Sequence, residues 1–365
     1  MATPNISVDK LIQELRTKGV FFFLPQASLY HLSICIAEGF EELGIPISAN
    51  HDYYPRPYDE NAKLLFRRVF KYSEAGLIIA DLDAIDLGLD PNSVYKLLEP
   101  LNIPRAILCS ADGGCGYFEA SSNFPTFITH KSKFLKYPGW RIPWAFGLSR
   151  DILTKIETAL ANGRHRRRSF IRDFRASLNQ PVRQSLDLAF VPTLSRRFEI
   201  DRTVDGEGRF LLTHYERLVT ALGCLAYGGV FVENLSQRRE KKFFGTQADM
   251  PIGTQADMDG PGPFIARWDS WRFWESLAAG CVTVALDLDE YGFELPVKPT
   301  NHLHYVGLKL DRLDEAAEFL AQDPDQLQSI GDAGRMWVLQ HYAPKPTAIR
   351  FIDELAKASD SLGLC

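Results

Sequence analysis

The feature that most constrains the fold is a repeated alternation of short apolar runs with segments of helical spacing. The run VFFFL at 20–24 precedes a segment in which apolar residues from Leu32 to Leu43 recur at steps of three and four residues, and Gly44 ends that predicted helix. Further strand candidates are PISAN (46–50), AGLIIADLD (75–83), RAILCSAD (105–112), TFITH (126–130) and IPWAFG (142–147). Nearly continuous apolar strands separated by helices are typical of a parallel sheet covered on both faces.

A second series of the same kind follows the basic stretch GRHRRR at 163–168. Its predicted strands are SFIRDF (169–174), LAFVP (188–192) and CVTVALD (281–287), and its predicted helices occupy 213–225, 268–279, 311–341 and 345–360. With 365 residues, 45% of them hydrophobic, the chain can bury two cores. We therefore expect an α/β protein with two doubly wound domains that face each other across a cleft, formed by residues 1–160 and 166–342, with a C-terminal helix at 343–365 that packs back toward the first domain.

Charge and cysteine content narrow the class of protein. The 41 Lys and Arg residues nearly balance the 46 Asp and Glu residues, so no global field would attract nucleic acid or an anionic membrane. The six cysteines are scattered without a CxxC pair, which favours a reducing, cytoplasmic setting. The N-terminus lacks the order of a secretion signal, and no apolar run approaches the roughly 20 residues that span a bilayer. We expect a soluble cytoplasmic enzyme or binding protein.

The segment most informative about chemistry is RWDSWRFWESLAAGCVTVALD at 267–287. A helix that begins near Asp269 or Ser270 would carry Arg272 and Glu275 on one face. Backbone amides at a helix N-terminus and a guanidinium can bind phosphate oxygens. A carboxylate one turn further along can accept hydrogen bonds from two ribose hydroxyls. The segment therefore predicts a site for a nucleoside diphosphate.

The same segment resembles a known family. The pattern S-x-R-x-x-E-x-L-A-x-G-C-V-x-V, from Ser270 to Val284, is similar to the donor-binding signature of GT-B glycosyltransferases, most closely to that of the exostosin-like and group-1-like branches. RSFIRDFRASLNQPVRQSL (168–186) and LGCLAYGG (222–229) resemble two further pieces of that family, in the same order. The resemblance covers residues 165–345 and extends to the N-terminal half only through its architecture. It implies the GT-B fold, in which two Rossmann-like domains enclose a nucleotide-sugar donor.

The resemblance also implies roles for individual residues. Glu275 would hold the donor ribose, and Arg272 would lie near the diphosphate. The other implied donor contacts are Arg175, Arg183, Gly229, Ser270 and Trp271. The donor would be a UDP- or dTDP-linked hexose or deoxyhexose such as rhamnose, and the acceptor a glycan or a small natural product. Many group-1 enzymes carry a second glutamate eight residues before the first, where this chain has Arg267, so inverting chemistry is favoured over retaining chemistry.

An inverting transfer needs a base that takes the proton of the acceptor hydroxyl, and the resemblance places it in the first domain. His31, near the start of the helix after the first strand, is the first candidate. The alternatives after the second, fourth and fifth strands are Asp52, Asp112 and His130. Asp81 and Asp83 resemble a metal-binding D-x-D, but alternate residues of a strand face opposite sides and GT-B sites normally work without metal. We expect no essential metal and no cofactor besides the donor.

Simpler explanations and other functions stay open. Glu275 could be a surface acid paired with Arg272, the two further arginines could cap strands or helices, and Trp268, Trp271 and Trp274 could serve packing alone. The chain could be a nucleotide-sugar epimerase on the same scaffold, or a polyanion-binding protein that uses GRHRRR and QRREKK (237–242). The repeated GTQADM at 245–250 and 253–258 predicts a surface loop or a lid.

Overall fold

The structure is a computed structural model. It describes residues 8–24, 31–52, 65–69, 72–81, 96, 98–101, 103–110, 124–134, 141–163, 166–174, 181–203, 211–232 and 264–362. The elements of the N-terminal half are α1 (Val8–Lys18), β1 (Val20–Phe23), α2 (His31–Glu42), β2 (Ile47–Ala49), β3 (Leu77–Asp81), β4 (Arg105–Cys109), β5 (Thr126–Ile128), β6 (Arg141–Pro143) and α3 (Arg150–Ala161). Those of the C-terminal half are β7 (Arg167–Ile171), α4 (Pro181–Ala189), α5 (Val191–Leu194), β8 (Glu199–Asp201), α6 (Leu212–Thr220), β9 (Ala221–Leu225), β10 (Val230–Val232), β11 (Phe264–Ala266), α7 (Trp271–Ala278), β12 (Val282–Leu286), β13 (Val306–Leu308), α8 (Leu313–Leu320), α9 (Pro324–Tyr342) and α10 (Pro344–Leu362).

The first sheet is parallel throughout, with the strand order β2-β1-β3-β4-β5-β6. Successive residues of its strands belong to different clusters of buried hydrophobic side chains. Phe22 and Ile79 belong to the main core, whereas Phe21 and Ile78 belong to a second, smaller cluster. Because neighbouring strand residues point to opposite faces, both faces of this sheet are buried. That is the reason why its strands are nearly continuous apolar runs.

The second sheet has the order β13-β12-β9-β7-β8 and is also parallel. Counted along the chain, its strands follow the order two-one-three-four-five, which is also the order of the first five strands of the first sheet. The prediction of an α/β protein with two Rossmann-like, doubly wound parallel sheets is confirmed. In each sheet the direction of winding reverses at one pair of strands, β1 and β3 in the first and β7 and β9 in the second. Sheets of this kind bind ligands at the carboxyl ends of the strands beside that pair, the switch point.

The C-terminal helix α10 packs against α2 of the first half. The two helices approach so closely at Gly39 that a β-carbon there would lie 2.1 Å from the backbone oxygen of Pro344. Phe351 of α10 contacts the rings of Phe40, Phe127 and Trp144. The end of the chain is therefore part of the core of the first half.

One predicted element is wrong in type, and another was predicted too long. LAFVP at 188–192 is not a strand but the end of α4 and the start of α5, where Leu188 is 74% exposed and Phe190 is buried. A short apolar run does not by itself separate a strand from a helix with one buried face. The helix predicted over 213–225 ends at Thr220, because the completely buried run that follows forms the central strand β9.

The described helices include none that is long and apolar enough to cross a membrane. Cys35, Cys224 and Cys281 are free and buried, whereas Cys109 takes part in a disulfide. The reducing compartment stays a prediction. The GTQADM repeat and the second basic run, QRREKK, lie outside the described residues.

Candidate functional site

The helix α7 begins at the switch point of the second sheet. Ser270 precedes it with an extended backbone and makes no capping hydrogen bond through its side chain among the described residues. From the first turn of α7, Arg272 donates through Nε to the backbone oxygen of Asp173. Asp173 follows β7, the strand next to β9, so the guanidinium of Arg272 is held where the winding of the sheet reverses.

Glu275 lies one turn further along α7 and is buried, with 2% of its surface exposed. Its two carboxylate oxygens face side chains of α6: Tyr215 donates to Oε1 at 3.4 Å, and His214 Nε2 lies 3.8 Å from Oε2. The other ring nitrogen of His214, Nδ1, lies 3.1 Å from Oδ2 of Asp173. A single imidazole therefore joins the carboxylate that follows β7 to the carboxylate on α7.

This cluster balances its charges. Burial lowers the pKa of His214, but hydrogen bonds and charges from Asp173 and Glu275 outweigh burial and raise that pKa to about 9. The imidazole is therefore cationic at neutral pH. The imidazolium of His214 and the guanidinium of Arg272 thus place two positive groups beside the carboxylates of Asp173 and Glu275. Neither Asp173, which lies within the predicted strand at 169–174, nor His214 carried a sequence signal of this cluster, because their partners are far apart in the chain.

Arg183 and Gly229 lie at the same switch point. Arg183, on α4, donates from Nε to the backbone oxygen of Tyr227 at 3.3 Å, just after β9, and its guanidinium lies 5.5 Å from the ring centre of Phe174, just after β7. Gly229 has φ +126°, which side-chain-bearing residues rarely adopt, and a β-carbon there would lie 2.6 Å from Ile265. The structure thus brings Arg183, Gly229 and Arg272 to one end of one pair of strands. Arg175 lies outside the described residues.

The first sheet also carries an acid at its switch point. Asp81 ends β3 and is 3% exposed, and the hydroxyl of Ser33 on α2 donates to its carboxylate at 2.6 Å. His31 is the first residue of α2, two positions before Ser33. Asp52 follows the edge strand β2, is exposed, and accepts a hydrogen bond from the backbone N–H of Arg68 at 2.8 Å. Asp83 and Asp112 lie outside the described residues.

Asp269 joins the two halves of the protein. Its backbone N–H donates to His130 Nδ1 of the first half at 3.0 Å, and its carboxylate accepts the N–H of Phe146 at 3.3 Å. The other carboxylate oxygen accepts the indole N–H of Trp274 at 2.7 Å. Beside these bonds, Trp271 stacks on Phe146 with ring centres 5.0 Å apart. Asp269, an N-cap candidate in the sequence, thus connects the region after β5 to the start of α7.

His130 is constrained by this contact. Its backbone lies in the left-handed region at φ 57°, an uncommon conformation that is found most often at functional sites. Because Nδ1 accepts the N–H of Asp269, a neutral ring carries its proton on Nε2 and is then a hydrogen-bond donor there. A role for His130 as a base would require that this hydrogen bond break.

The remaining tryptophans and part of the first basic run have packing roles. Trp268 stacks on Phe293 at 4.5 Å, and Trp274 contacts the ring of Tyr342 at 4.4 Å. Arg166, from the basic stretch, donates to the backbone oxygen of Ala279 at 2.8 Å, directly after α7. That arginine therefore supports the fold. The described residues contain no group of three or more His, Cys, Asp or Glu side chains that could hold a metal ion.

Comparisons with known proteins give structural similarity only. No protein-family model matches the sequence, and no curated protein matches it. Among solved structures, the chain is similar to AviGT4, a glycosyltransferase involved in avilamycin A biosynthesis (13% identity, 94% of this chain and 98% of that chain covered, TM-score 0.43). It is also similar to Alr3699/HepE of Anabaena in complex with UDP and glucose (12%, 93% and 100%, TM-score 0.41) and to a glycosyltransferase of Rickettsia africae ESF-5 (12%, 93% and 98%, TM-score 0.43). At these values the similarity assigns no function to this chain, so function is argued from its own residues.

Proposed function

We propose that the protein is a glycosyltransferase that binds a nucleotide-sugar donor at the switch point of the second sheet. The observation that carries the proposal is the convergence of Arg272, Arg183 and Glu275 on the carboxyl ends of β7 and β9. Two guanidinium groups and the first turn of α7 offer positive charge and N–H donors to a diphosphate. Glu275 lies one helical turn beyond the start of α7. In a bound nucleotide the ribose would lie next to the diphosphate, and therefore beside Glu275.

Glu275 can accept ribose hydroxyls in addition to its contacts to α6, because each carboxylate oxygen can accept more than one hydrogen bond. Tyr215 donates at 3.4 Å and His214 lies at 3.8 Å, so both contacts are longer than the roughly 2.7–2.9 Å of strong charge-assisted hydrogen bonds. Ribose hydroxyls can therefore bind beside these contacts. Ser270, Trp271, Gly229 and Arg175 complete the proposed donor site, as the resemblance to GT-B enzymes implies.

The acceptor hydroxyl and its base are assigned to the first half of the protein. His31 remains the first candidate, since α2 begins beside the switch point of the first sheet, where Ser33 contacts Asp81. Asp52, Asp112 and His130 are the alternatives. The donor is a UDP- or dTDP-linked hexose or deoxyhexose, the acceptor is a glycan or a small natural product, and transfer proceeds with inversion and without metal.

The test is a binding assay on the full-length protein. We expect UDP, dTDP or one of their sugar conjugates to raise the melting temperature of the wild-type protein, because a ligand that binds only the folded state stabilises it. Glu275→Gln preserves the shape of the side chain but removes its charge, and we expect it to weaken that nucleotide's binding by about tenfold or more. Glu315→Gln, at an exposed position on α8, is the matched control and should bind as the wild type does.

Two outcomes would contradict the proposal. One is a wild-type protein that no nucleotide or nucleotide sugar stabilises, and the other is Glu275→Gln that is folded and binds like the control. Conversion of a nucleotide sugar without any acceptor would instead indicate an epimerase.

A further inference from the structure

We propose that His214 is a positioning residue of the donor site, which orients Glu275 to accept the ribose hydroxyls. This inference rests on the proposed function, because the proposed donor supplies the ribose that Glu275 would bind. His214 itself is 3% exposed and is not expected to touch the donor.

The first support is geometric. His214 lies on α6, Glu275 on α7, and Asp173 in the segment after β7, so the imidazole connects three separate elements at the switch point. Tyr215, the next residue of α6, donates to the second oxygen of Glu275. Two neighbouring residues of one helix thus approach the two oxygens of one carboxylate, which restricts the rotation of that group. The other ring nitrogen, Nδ1, lies 3.1 Å from Oδ2 of Asp173, so the ring stands between the two carboxylates.

The second support is the charge balance. Asp173 and Glu275 are 5% and 2% exposed, and two buried carboxylates around one site cost free energy unless cations compensate them. Arg272 and the imidazolium of His214 both supply positive charge here. The imidazolium attracts both carboxylates and holds that of Glu275 toward α6.

Two further groups near this cluster add no charge to it. Burial raises the pKa of the Cys224 thiol, on β9, well above the ordinary value, so the thiol is neutral across the pH range in which enzymes are assayed. The hydroxyl of Tyr215 donates a hydrogen bond to Glu275. His214 is the cationic side chain that lies between Asp173 and Glu275.

The experiment measures UDP and dTDP binding to full-length His214→Gln by calorimetry at pH 6, 7 and 8. Glutamine can still donate a hydrogen bond but carries no charge. We expect about tenfold weaker binding than wild type at all three pH values, because the pKa of His214 is about 9 and the wild-type ring is therefore cationic throughout this range. Expressing each affinity relative to wild type at the same pH cancels the titration of the nucleotide. In transfer assays the donor KM should rise while kcat changes by less than about twofold.

His302→Gln is the matched control, an exposed histidine of the same half of the protein, and it should leave every affinity unchanged. A second measurement covers the case in which His214→Gln does not fold. The ring of His214 in the wild-type protein, followed by NMR, should be cationic at pH 8 and should lose that charge at lower pH in Glu275→Gln. A neutral ring at pH 8 would overturn the inference.

The outcomes separate this inference from the proposed function. If the wild-type protein binds a nucleotide and Glu275→Gln weakens that binding, but His214→Gln does not, only the role of His214 is refuted. A fall of kcat as large as the rise of KM would also refute it. If the wild-type protein binds neither UDP nor dTDP nor their sugar conjugates, the proposed function itself fails.

Discussion

Replacing Glu38 by glutamine should stabilise the protein relative to wild type, and this stabilisation should be larger at alkaline pH than at acidic pH. Glu38 lies on α2, is 4% exposed, and accepts the backbone N–H of Arg150, the first residue of α3, at 2.6 Å. Burial raises the pKa of its carboxyl group from 4.5 to about 7, and the hydrogen bond and charge of Arg150 offset this rise only in part. The folded protein therefore binds a proton here more tightly than the unfolded chain does.

The sign and size of the effect follow from that difference. A carboxyl group with a raised pKa in the folded state lowers stability as the pH rises, because ionisation in the buried site costs more than ionisation in water. The cost develops between pH 4.5 and about pH 7. At about 1.4 kcal/mol for each pH unit, it amounts to roughly 3 kcal/mol above that window. Glutamine avoids this cost and can still accept the N–H of Arg150.

The assay is urea denaturation at several pH values between 4.5 and 8, with the free energy of unfolding compared between wild type and Glu38→Gln. The advantage of the variant should increase across this range and level off above about pH 7. Glu42→Gln, an exposed position on the same helix, should show no such increase. A difference between Glu38→Gln and wild type that is the same at every pH would refute the reasoning.

Three further substitutions test the packing. Gly39→Ala should lower the free energy of unfolding by about 2 kcal/mol or more, since its β-carbon would lie 2.1 Å from the backbone oxygen of Pro344; an unchanged melting temperature would contradict the close contact of α2 and α10. Gly223→Ala, whose β-carbon would lie 2.2 Å from the ring of Phe170, should destabilise the second sheet to a similar degree, measured by urea denaturation. His130→Ala removes the acceptor of a backbone N–H between the two halves and should cost about 1–3 kcal/mol; a loss below 0.5 kcal/mol would show that this hydrogen bond is not formed in solution.

The sequence determined the fold class, because the relevant signal is local. A parallel sheet buried on both faces needs strands that are apolar at every position, and runs such as VFFFL and CVTVALD show this directly. Helices between such runs show a spacing of three and four residues, so the alternation of the two patterns predicted two doubly wound sheets. The same local reading placed Arg272 and Glu275 on one turn of α7. It failed at LAFVP and at β9, where short apolar segments fit either a helix or a strand and only tertiary burial decides.

Only the tertiary structure decided which residues meet at the ends of the sheets. The strand order places β7 beside β9, and this order brings Asp173, His214 and Glu275 together from three distant parts of the chain. Nothing in the spacing of these residues indicates the contact, because the desolvation cost of buried charges is offset only when the surrounding elements hold the partners close together. The contact of His130 with Asp269 depends in the same way on how the two halves pack. Local periodicity therefore specifies the elements and their buried faces, whereas the charge network of the proposed site arises from the order in which those elements assemble.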